Sequence, residues 1–287
     1  MYYRDRIFFS VATKLDLSAD KLTAEKALHL ILLFCKKNVP KKLMITYDDE
    51  KGHKKPALTE KSLARFMEEY RKSKIGLLTV TDYMSAETYY NDYDFDPEQI
   101  VFESNITFGS PSYAFPNSCD TVSVSMKYSG DETCKELVKL FLDLHTLLNG
   151  GGSFLTRGTD VFHAAGLFDF QYYGDALSFS RFWDEQVRGY FWLTFLTDKQ
   201  IELLGGMEKL DGHGFYKIEK TDTGVFIQCT ENILDYTLED ALKLREVLLP
   251  LFPPIKERTS KLFPSIPSIE DIGEHRLYLF DIKDMIK

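Results

Sequence analysis

The residues best suited to chemistry are scattered along this chain rather than gathered into motifs. The four cysteines include no CxxC pair, and the six histidines include no HxH or HxxxH pair. Disulfide frameworks and zinc sites depend on such spacing, so neither is predicted. No GxSxG sequence occurs, and Gly150–Ser153 lacks the lysine of a phosphate-binding loop. The sequence therefore predicts no catalytic constellation, no cofactor and no metal site.

Two isolated residues keep an enzyme open as the alternative, with a hydrolase as the reaction class. They are His163, in the sequence DVFHAAG, and Cys119, at the end of a loop. Either could act if a second titratable group lay beside it. The apolar surroundings of His163 and His145 instead favour buried, satisfied imidazoles. Cys35 and the cysteine at position 134 occupy helical positions and are expected to be small core residues.

Aromatic and acidic residues alternate over residues 89–98, YYNDYDFDPE. Asp92 and Glu103 have the spacing of a calcium-binding loop, but Pro97 stands where that loop needs glycine, so calcium is not predicted. A surface of acids and tyrosines fits a basic protein partner, and the alternative is a solvated acidic loop. The candidate contact residues are Asp92, Tyr93, Asp94, Asp96 and Glu98, with a second acidic patch at Asp48, Asp49 and Glu50.

The charge balance restricts the classes of partner. The chain has 35 basic and 44 acidic residues and a net charge of −9. An anionic surface repels phosphate, so direct binding of nucleic acid or an anionic membrane is not expected. No apolar run approaches the roughly 20 residues of a membrane span, and the first residues do not resemble a signal peptide. A cytoplasmic protein is expected.

Hydrophobic spacing predicts the elements that must position these residues. In the first half they are strands at 6–13, 43–47, 75–81, 100–108 and 122–128. Three helices carry apolar residues at helical spacing over 22–34, 63–70 and 137–148, and the first ends before Asn38. Thr59 is expected to cap the second helix and Asp131 the third, while residues 48–52 are expected in a turn. Residues 149–152, Asn-Gly-Gly-Gly, must end the third helix.

The second half is predicted to continue in the same style. Its elements are helices at 159–166 and 177–185, a hairpin at 215–230, a helix from Thr237 to Leu251 and a strand at 276–280. The fold class is therefore α+β, with mixed sheets flanked by amphipathic helices. An N-terminal lobe (1–149) and a C-terminal lobe (150–287) are expected in one integrated fold, because three glycines are too few for a free linker.

The most distinctive stretch is residues 190–210, YFWLTFLTDKQIELLGGMEKL. Both faces of the strand that begins at Tyr190 are apolar, which predicts a central strand covered on both sides. Thr197 and Gln200 have the spacing of a capping box that opens a short helix. Gly205 and Gly206 then stop this helix.

At this stretch the chain resembles the bacterial type VI immunity proteins, a family long catalogued as a domain of unknown function. The resemblance rests on the strand, short helix and Leu-Gly-Gly pattern from Trp192 to Gly206. The order of neighbouring elements is also similar: a leucine-rich helix ending in glycines (137–152), the tract GVFIQC (224–229) and a last helix. The similarity extends mainly over residues 120–255.

The resemblance implies a function without catalysis. Proteins of that family neutralise a toxic effector stoichiometrically, by covering its active site or holding it inactive. Trp192, Gly205 and Gly206 would be structural, and the contact with the toxin would lie elsewhere. The acidic segment would then suit a toxin with a basic cleft, such as a nuclease. A scaffold protein with no connection to a toxin is the remaining alternative.

Overall fold

A computed structural model describes residues 6–49, 52–54, 56–72, 77–82, 101–107, 120–157, 187 and 189–251. The chain forms two compact units, of which the first extends from Arg6 to Gly150 and the second begins at Gly151. Each unit combines antiparallel strands with helices. The α+β class predicted from the sequence is therefore confirmed.

The described part of the first unit contains six strands and three helices. Its strands are β1 (Arg6–Thr13), β2 (Met44–Asp49), β3 (Gly52–Lys54), β4 (Leu77–Thr81), β5 (Phe102–Thr107) and β6 (Asp120–Lys127). Its helices are α1 (Lys21–Asn38), α2 (Glu60–Lys72) and α3 (Asp131–Leu148). Strand β1 has the predicted bounds. Asp48 and Asp49, expected in a turn, instead extend β2 and pair with β3, which was not predicted.

The strands of the first unit pair in the order β3-β2-β4-β5-β6-β1. Each of the pairs described in this unit is antiparallel, whereas a mixed sheet was expected from the sequence. A strand-helix-strand order gives parallel neighbours only when its two strands pair, whereas here α1 connects β1 to β2 and β1 pairs with β6.

The three helices of the first unit cover one face of its sheet. The cross-strand register places Phe9, Phe102 and Tyr47 on that face. Phe9 packs against Phe141 of α3 with ring centroids 5.4 Å apart, and Phe102 packs against Phe34 of α1 at 6.0 Å. Tyr47 meets an aromatic ring of α2 at 4.9 Å. This aromatic layer forms the core between the sheet and the helices.

Both ends of α3 show how local residues set its length. Asp131 is the first helical residue, and Gly130 is the N-cap without a side-chain hydrogen bond. The expectation that Asp131 caps the helix is therefore wrong, although its charge at the first turn suits the helix dipole. At the other end Asn149 adopts the left-handed conformation, with φ 46°, and the amide of Gly150 donates to the carbonyl of His145. Residues 149–152 thus end the helix as predicted.

The second unit has a smaller described sheet with two helices. Its strands are β7 (Phe154–Arg157), β8 (Leu193–Thr197), β9 (Lys217–Lys220) and β10 (Gly224–Gln228), in the order β7-β8-β10-β9. Its helices are α4 (Asp198–Leu204) and α5 (Leu238–Leu248), with single 3₁₀ turns at Met207–Lys209, Ile233–Asp235 and Leu249–Leu251. These strand pairs are antiparallel as well. Strand β8 lies between β7 and β10, which confirms the predicted central strand.

The predicted hairpin at 215–230 is confirmed as β9 and β10. The amide of Thr221 donates to the carbonyl of Gly224 at 2.8 Å and closes the turn. A Cβ atom on Gly224 would lie 2.0 Å from the carbonyl oxygen of Leu196 in β8. Only glycine lets the backbones of these neighbouring strands approach so closely.

Several predicted elements lie outside the described residues, namely the helices at 159–166 and 177–185 and the strand at 276–280. The proline-rich stretch after Leu251 lies outside them as well. Among the helices that the structure describes, none is long and apolar enough to cross a membrane.

Candidate functional site

The segment between β4 and β5 carries the residues predicted to bind a partner. Its candidate contact residues, Asp92, Tyr93, Asp94, Asp96 and Glu98, lie outside the described residues. The structure does describe both ends of the segment, with Asp82 directly after β4 and Val101 directly before β5. Because β4 and β5 pair antiparallel, with Thr81 opposite Glu103, these two ends are adjacent. The acidic segment therefore leaves the sheet and re-enters it at one place.

A buried carboxylate closes the base of this segment. The side chain of Asp82 is 0% exposed. Its Oδ1 accepts the amide N–H of Val101 at 3.0 Å and that of Phe102 at 2.9 Å, and its Oδ2 lies 3.1 Å from the Val101 nitrogen. The amide of Asp82 donates in turn to the carbonyl of Phe102 at 3.3 Å. Each bond joins the residue before the segment to a residue after it, so Asp82 holds the two ends together.

The charge of Asp82 is balanced from the surface. The Nζ of Lys41 lies 3.4 Å from Oδ2, and the Lys41 side chain is 48% exposed. Without such partners a buried carboxylate would cost several kcal/mol. Burial, with the charge of Asp82 as a second cause, raises the pKa of the Cys35 thiol well above its ordinary value. Cys35 therefore stays protonated, and its predicted place in the core is confirmed.

The second acidic patch is divided by the limits of the described residues. Asp48 and Asp49 lie at the end of β2, opposite His53 and Gly52 of β3, while Glu50 lies outside the described residues. Strand β4 also pairs with β2, with Tyr47 opposite the second residue of β4. This end of β2 therefore lies at the start of β4, whereas Asp82 follows the end of β4. The second patch and the base of the acidic segment are at opposite ends of one strand.

The two residues of the enzyme alternative, His163 and Cys119, lie outside the described residues. Two further titratable residues that were predicted to be buried are described. His145 is buried on α3, as predicted, and burial lowers its pKa to about 4, so it is neutral at pH 7. Cys134 is also buried, and burial raises its pKa to about 12. Neither described residue is poised as a base or nucleophile at neutral pH.

The ranges that the structure describes contain no group of three or more His, Cys, Asp or Glu residues that could hold a metal ion. Glu103, which has the spacing of the last ligand in a calcium-binding loop, lies within β5 opposite Ser125 of β6. In an EF-hand the corresponding glutamate opens a helix. The strand that was predicted to follow the acidic segment is therefore confirmed.

The distinctive stretch at 190–210 begins with three buried aromatic residues. The indole Nε1 of Trp192 donates to the carbonyl and the hydroxyl of Thr230, at 3.0 and 2.9 Å. Phe191 stacks on Phe154 of β7 with ring centroids 4.0 Å apart. The carbonyl of Tyr190 accepts the hydroxyl of a buried tyrosine at 2.7 Å. These contacts bind the segment before β8 into the core of the second unit.

The rest of this stretch forms the short helix α4 with the predicted start and end. The Thr197 hydroxyl accepts the amide of Gln200 at 3.2 Å, and the Gln200 side chain accepts the amide of Thr197 at 2.8 Å. This reciprocal pair confirms the predicted capping box at the start of α4. Gly205 ends the helix with φ 94°, a left-handed conformation that favours glycine. The geometry gives these residues structural roles.

Asp82 is the residue that sequence reasoning missed. Its only signal in the sequence is a single acid directly after the apolar strand LLTVT. An acid at a strand end is usually solvated, so this signal is weak. Its burial depends on Val101 and Lys41, which are distant in the sequence, and only the folded sheet brings them to it.

No family model matches the chain, and a search of curated proteins finds no match. Among solved structures, the chain is similar to the T6SS protein PA0821 of Pseudomonas aeruginosa, with a TM-score of 0.52 and 13% sequence identity. The similarity covers 86% of this chain and 76% of that chain. At this level of identity, the comparison shows that the two proteins share a fold.

Proposed function

We propose that this chain is an immunity protein that binds a cognate toxic effector of a bacterial type VI secretion system and neutralises it stoichiometrically. The observation that carries the proposal is the shared fold with a protein named as a T6SS protein, over 86% of this chain. The pattern from Trp192 to Gly206, which resembles type VI immunity proteins, supports the same system from the sequence. Its strand residues from Trp192 to Leu196 are buried, so they support the kinship without being the contact surface.

The distribution of charge supports a basic partner. Residues 75–126 contain eight of the 44 acidic residues and none of the 35 basic residues. A local excess of one sign attracts a complementary surface and accelerates association. Toxins that act on nucleic acid need a basic cleft for the phosphates, so a nuclease is the effector class that this charge suits best.

The base at Asp82 supports the acidic segment as the contact. Its hydrogen bonds to Val101 and Phe102 fix the two ends of the segment against a sheet whose core is packed. Tethering a recognition segment at both ends lowers the conformational entropy that is lost on binding. The proposed contacts remain Asp92, Tyr93, Asp94, Asp96 and Glu98, with Asp48, Asp49 and Glu50 as a second patch.

Co-expression tests the function. A candidate effector, chosen from the genes encoded next to the gene for this chain, is expressed in a sensitive bacterial host with and without the chain. We expect the chain to restore growth and to form a one-to-one complex with the effector. Continued toxicity in the presence of folded, abundant protein would overturn the proposal.

Charge reversal tests the contact site separately. Changing Asp92, Asp94 and Asp96 to Lys should weaken the complex at least tenfold and reduce its dependence on salt. The matched control changes Glu202, Asp211 and Glu231 to Lys, because these exposed acids of the second unit give the same change in net charge. If both variants rescue growth and bind equally well, the function stands and the contact lies elsewhere.

A further inference from the structure

Helix α1 carries leucines on the side that faces away from the sheet. Leu22 is 62% exposed and Leu33 is 51% exposed. The opposite side of the helix is buried in the core through residues that include Ala27, Ile31 and Phe34. The same outer side also carries exposed Lys26 and His29. Exposed leucines beside charged side chains have the composition of a surface that a partner covers.

A groove with a volume of about 530 Å³ lies along this outer side. Helix α1 contributes Leu22 and Leu32 to its lining, α2 contributes Leu63 and Met67, and Leu147 lies at the end of α3. The lining residues of α1 extend from Leu22 to Leu32, which is about three helical turns. The groove is long enough to receive a short helix from another protein.

Ion pairs hold the walls of this groove in place. The guanidinium of Arg71 in α2 donates to both carboxylate oxygens of Glu25 in α1, at 2.7 and 2.8 Å. On the other side of α1, the Nζ of Lys37 lies 2.7 Å from Glu136 of α3. These pairs join the start of α1 to the end of α2 and the end of α1 to the start of α3. Helix α1 is thus linked to both neighbouring helices by ion pairs at the surface.

The charge around the groove is opposite to that of the whole chain. Helices α1 and α2 together carry eight Lys and Arg residues against four Glu residues, a balance of +4 in a chain of net charge −9. Lys26 and His29 line the groove itself, and Glu25, the carboxylate among its described lining residues, is already bound by Arg71. An occupant with acidic flanks would therefore be favoured and a basic occupant repelled.

We propose that the α1–α2 groove docks an acidic amphipathic helix of a protein partner. The walls are helices whose backbone groups are satisfied internally, so an extended segment would find no strand edge to pair with. Recognition must use side chains, and a helix with apolar residues at i, i+3, i+4 and i+7 matches leucine walls separated by helical turns. Nucleic acid would suit the lysines but would leave the leucines in water.

Two labelled helical peptides of about 18 residues test the proposal with the full chain. Both peptides have the same apolar face of Leu and Met. At all positions outside that face, one peptide carries Glu and the other carries Lys. We expect the Glu peptide to bind saturably in fluorescence anisotropy, and the Lys peptide to bind at least tenfold more weakly. Equal affinity for the two peptides, or no saturable binding of the Glu peptide, would overturn the proposal.

Variants place the binding on the groove. Leu22→Glu should weaken binding of the Glu peptide at least tenfold. Lys26→Glu should also weaken binding of this peptide, although it removes no apolar surface. Leu203→Glu is the matched control, because Leu203 is 54% exposed on α4 of the second unit, and it should bind as the original chain does. Circular dichroism checks that each variant is folded. Unchanged affinity in Leu22→Glu would overturn the proposal.

Two further outcomes would show that the exposed leucines of α1 contact something other than a helix of a protein partner. Either outcome would overturn the proposal. The first is concentration-dependent dimerisation of the original chain, measured by light scattering, that Leu22→Glu abolishes. The second is binding to phosphatidylserine vesicles that the same variant abolishes. Both measurements are made without any toxin, so their result is independent of the proposed immunity function.

Discussion

Two buried side chains of this protein, Trp192 and Asp82, hold different kinds of segment in place. The stretch at 190–210 uses the indole of Trp192 to reach Thr230, and the base of the acidic segment uses the carboxylate of Asp82 to reach Val101. In both, one side chain ties together backbone that is distant in the sequence. The first is enclosed by the core of the second unit. The second lies where a segment rich in acids and tyrosines joins the sheet.

This difference separates the residues that identify a fold from those that could serve its function. Trp192 and the glycines after α4 are conspicuous in the sequence because buried strands and helix ends need particular residues. Asp82 is inconspicuous, yet its hydrogen bonds to Val101 and Phe102 join the two ends of the segment that carries the proposed contact. A conspicuous motif is therefore a guide to kinship, and the neighbouring loops are the place to look for binding.

Replacing Trp192 by alanine should give the largest effect and tests the first half of this comparison. Deleting a buried indole removes apolar contacts and both hydrogen bonds to Thr230, which costs about 3–5 kcal/mol of the free energy of unfolding. Urea unfolding followed by circular dichroism measures this loss. The fraction that remains folded should bind the proposed effector with unchanged affinity.

Trp192→Phe is the milder variant for the case in which alanine prevents folding. It keeps an aromatic ring and removes the two Nε1 hydrogen bonds, so we expect a loss of about 1–2 kcal/mol. Weaker effector binding by folded Trp192→Phe would contradict the view that this stretch is purely structural.

Replacing Asp82 by asparagine tests the second half. Asparagine keeps one acceptor oxygen but turns an NH₂ group towards the Val101 amide and removes the charge that Lys41 balances. Hydrogen bonds to charged groups are worth about 1.5–3 kcal/mol, so unfolding should become easier by that amount. Effector affinity should fall as well, because the ends of the acidic segment are no longer held together.

Asp120→Asn is the matched control for this loss of affinity. Asp120 is also buried in the first unit, and its Oδ2 accepts the amide of Leu17 at 2.6 Å. It lies in β6 and makes no described bond to Asp82 or Val101. We expect a similar loss of stability with unchanged effector affinity. Equal losses of affinity in the two variants would mean that Asp82 acts only through global stability.

Most regular elements could be predicted from local sequence, because strand alternation, helix caps and glycine stops depend on near neighbours. Strand β1, the capping box at Thr197 and the Thr221–Gly224 turn are examples. Strand β3 could not be predicted, because GHK has little β propensity and is a strand only through pairing with β2. The same holds for antiparallel pairing and for the base at Asp82, which both depend on residues far apart in the sequence.

Acidification should weaken the fold of the first unit through His145, a buried imidazole on α3. Its pKa is lowered from 6.5 to about 4 by burial, so the unfolded chain binds its proton at a higher pH than the folded chain. Between these values, stability falls as pH falls, and the fall ends below about pH 4. From pH 7 to pH 5 this group alone should lower the free energy of unfolding by about 2 kcal/mol.

The measurement is urea unfolding at pH 7 and pH 5 for the original chain and for His145→Gln. The variant should lose about 2 kcal/mol less between the two pH values. His29→Gln, at an exposed position on α1, is the control and should follow the original chain. Effector binding that weakens at pH 5 in the original chain but not in His145→Gln would assign the weakening to partial unfolding.

The smallest predicted effect comes from the helix caps of the second unit. Two of its helices begin with the same kind of capping box. Thr197 with Gln200 opens α4, and Thr237 with Asp240 opens α5. Removing either threonine hydroxyl in Thr197→Ala or Thr237→Ala leaves an amide at the helix start without its acceptor, at a cost of about 1 kcal/mol each. Urea unfolding should show that the two losses are similar. The double variant should lose their sum, because the two threonines cap separate helices.

Neither change should alter effector binding. A loss of affinity in Thr197→Ala but not in Thr237→Ala would place part of the contact at residues 190–210 and would reverse the assignment of fold and function between the two segments.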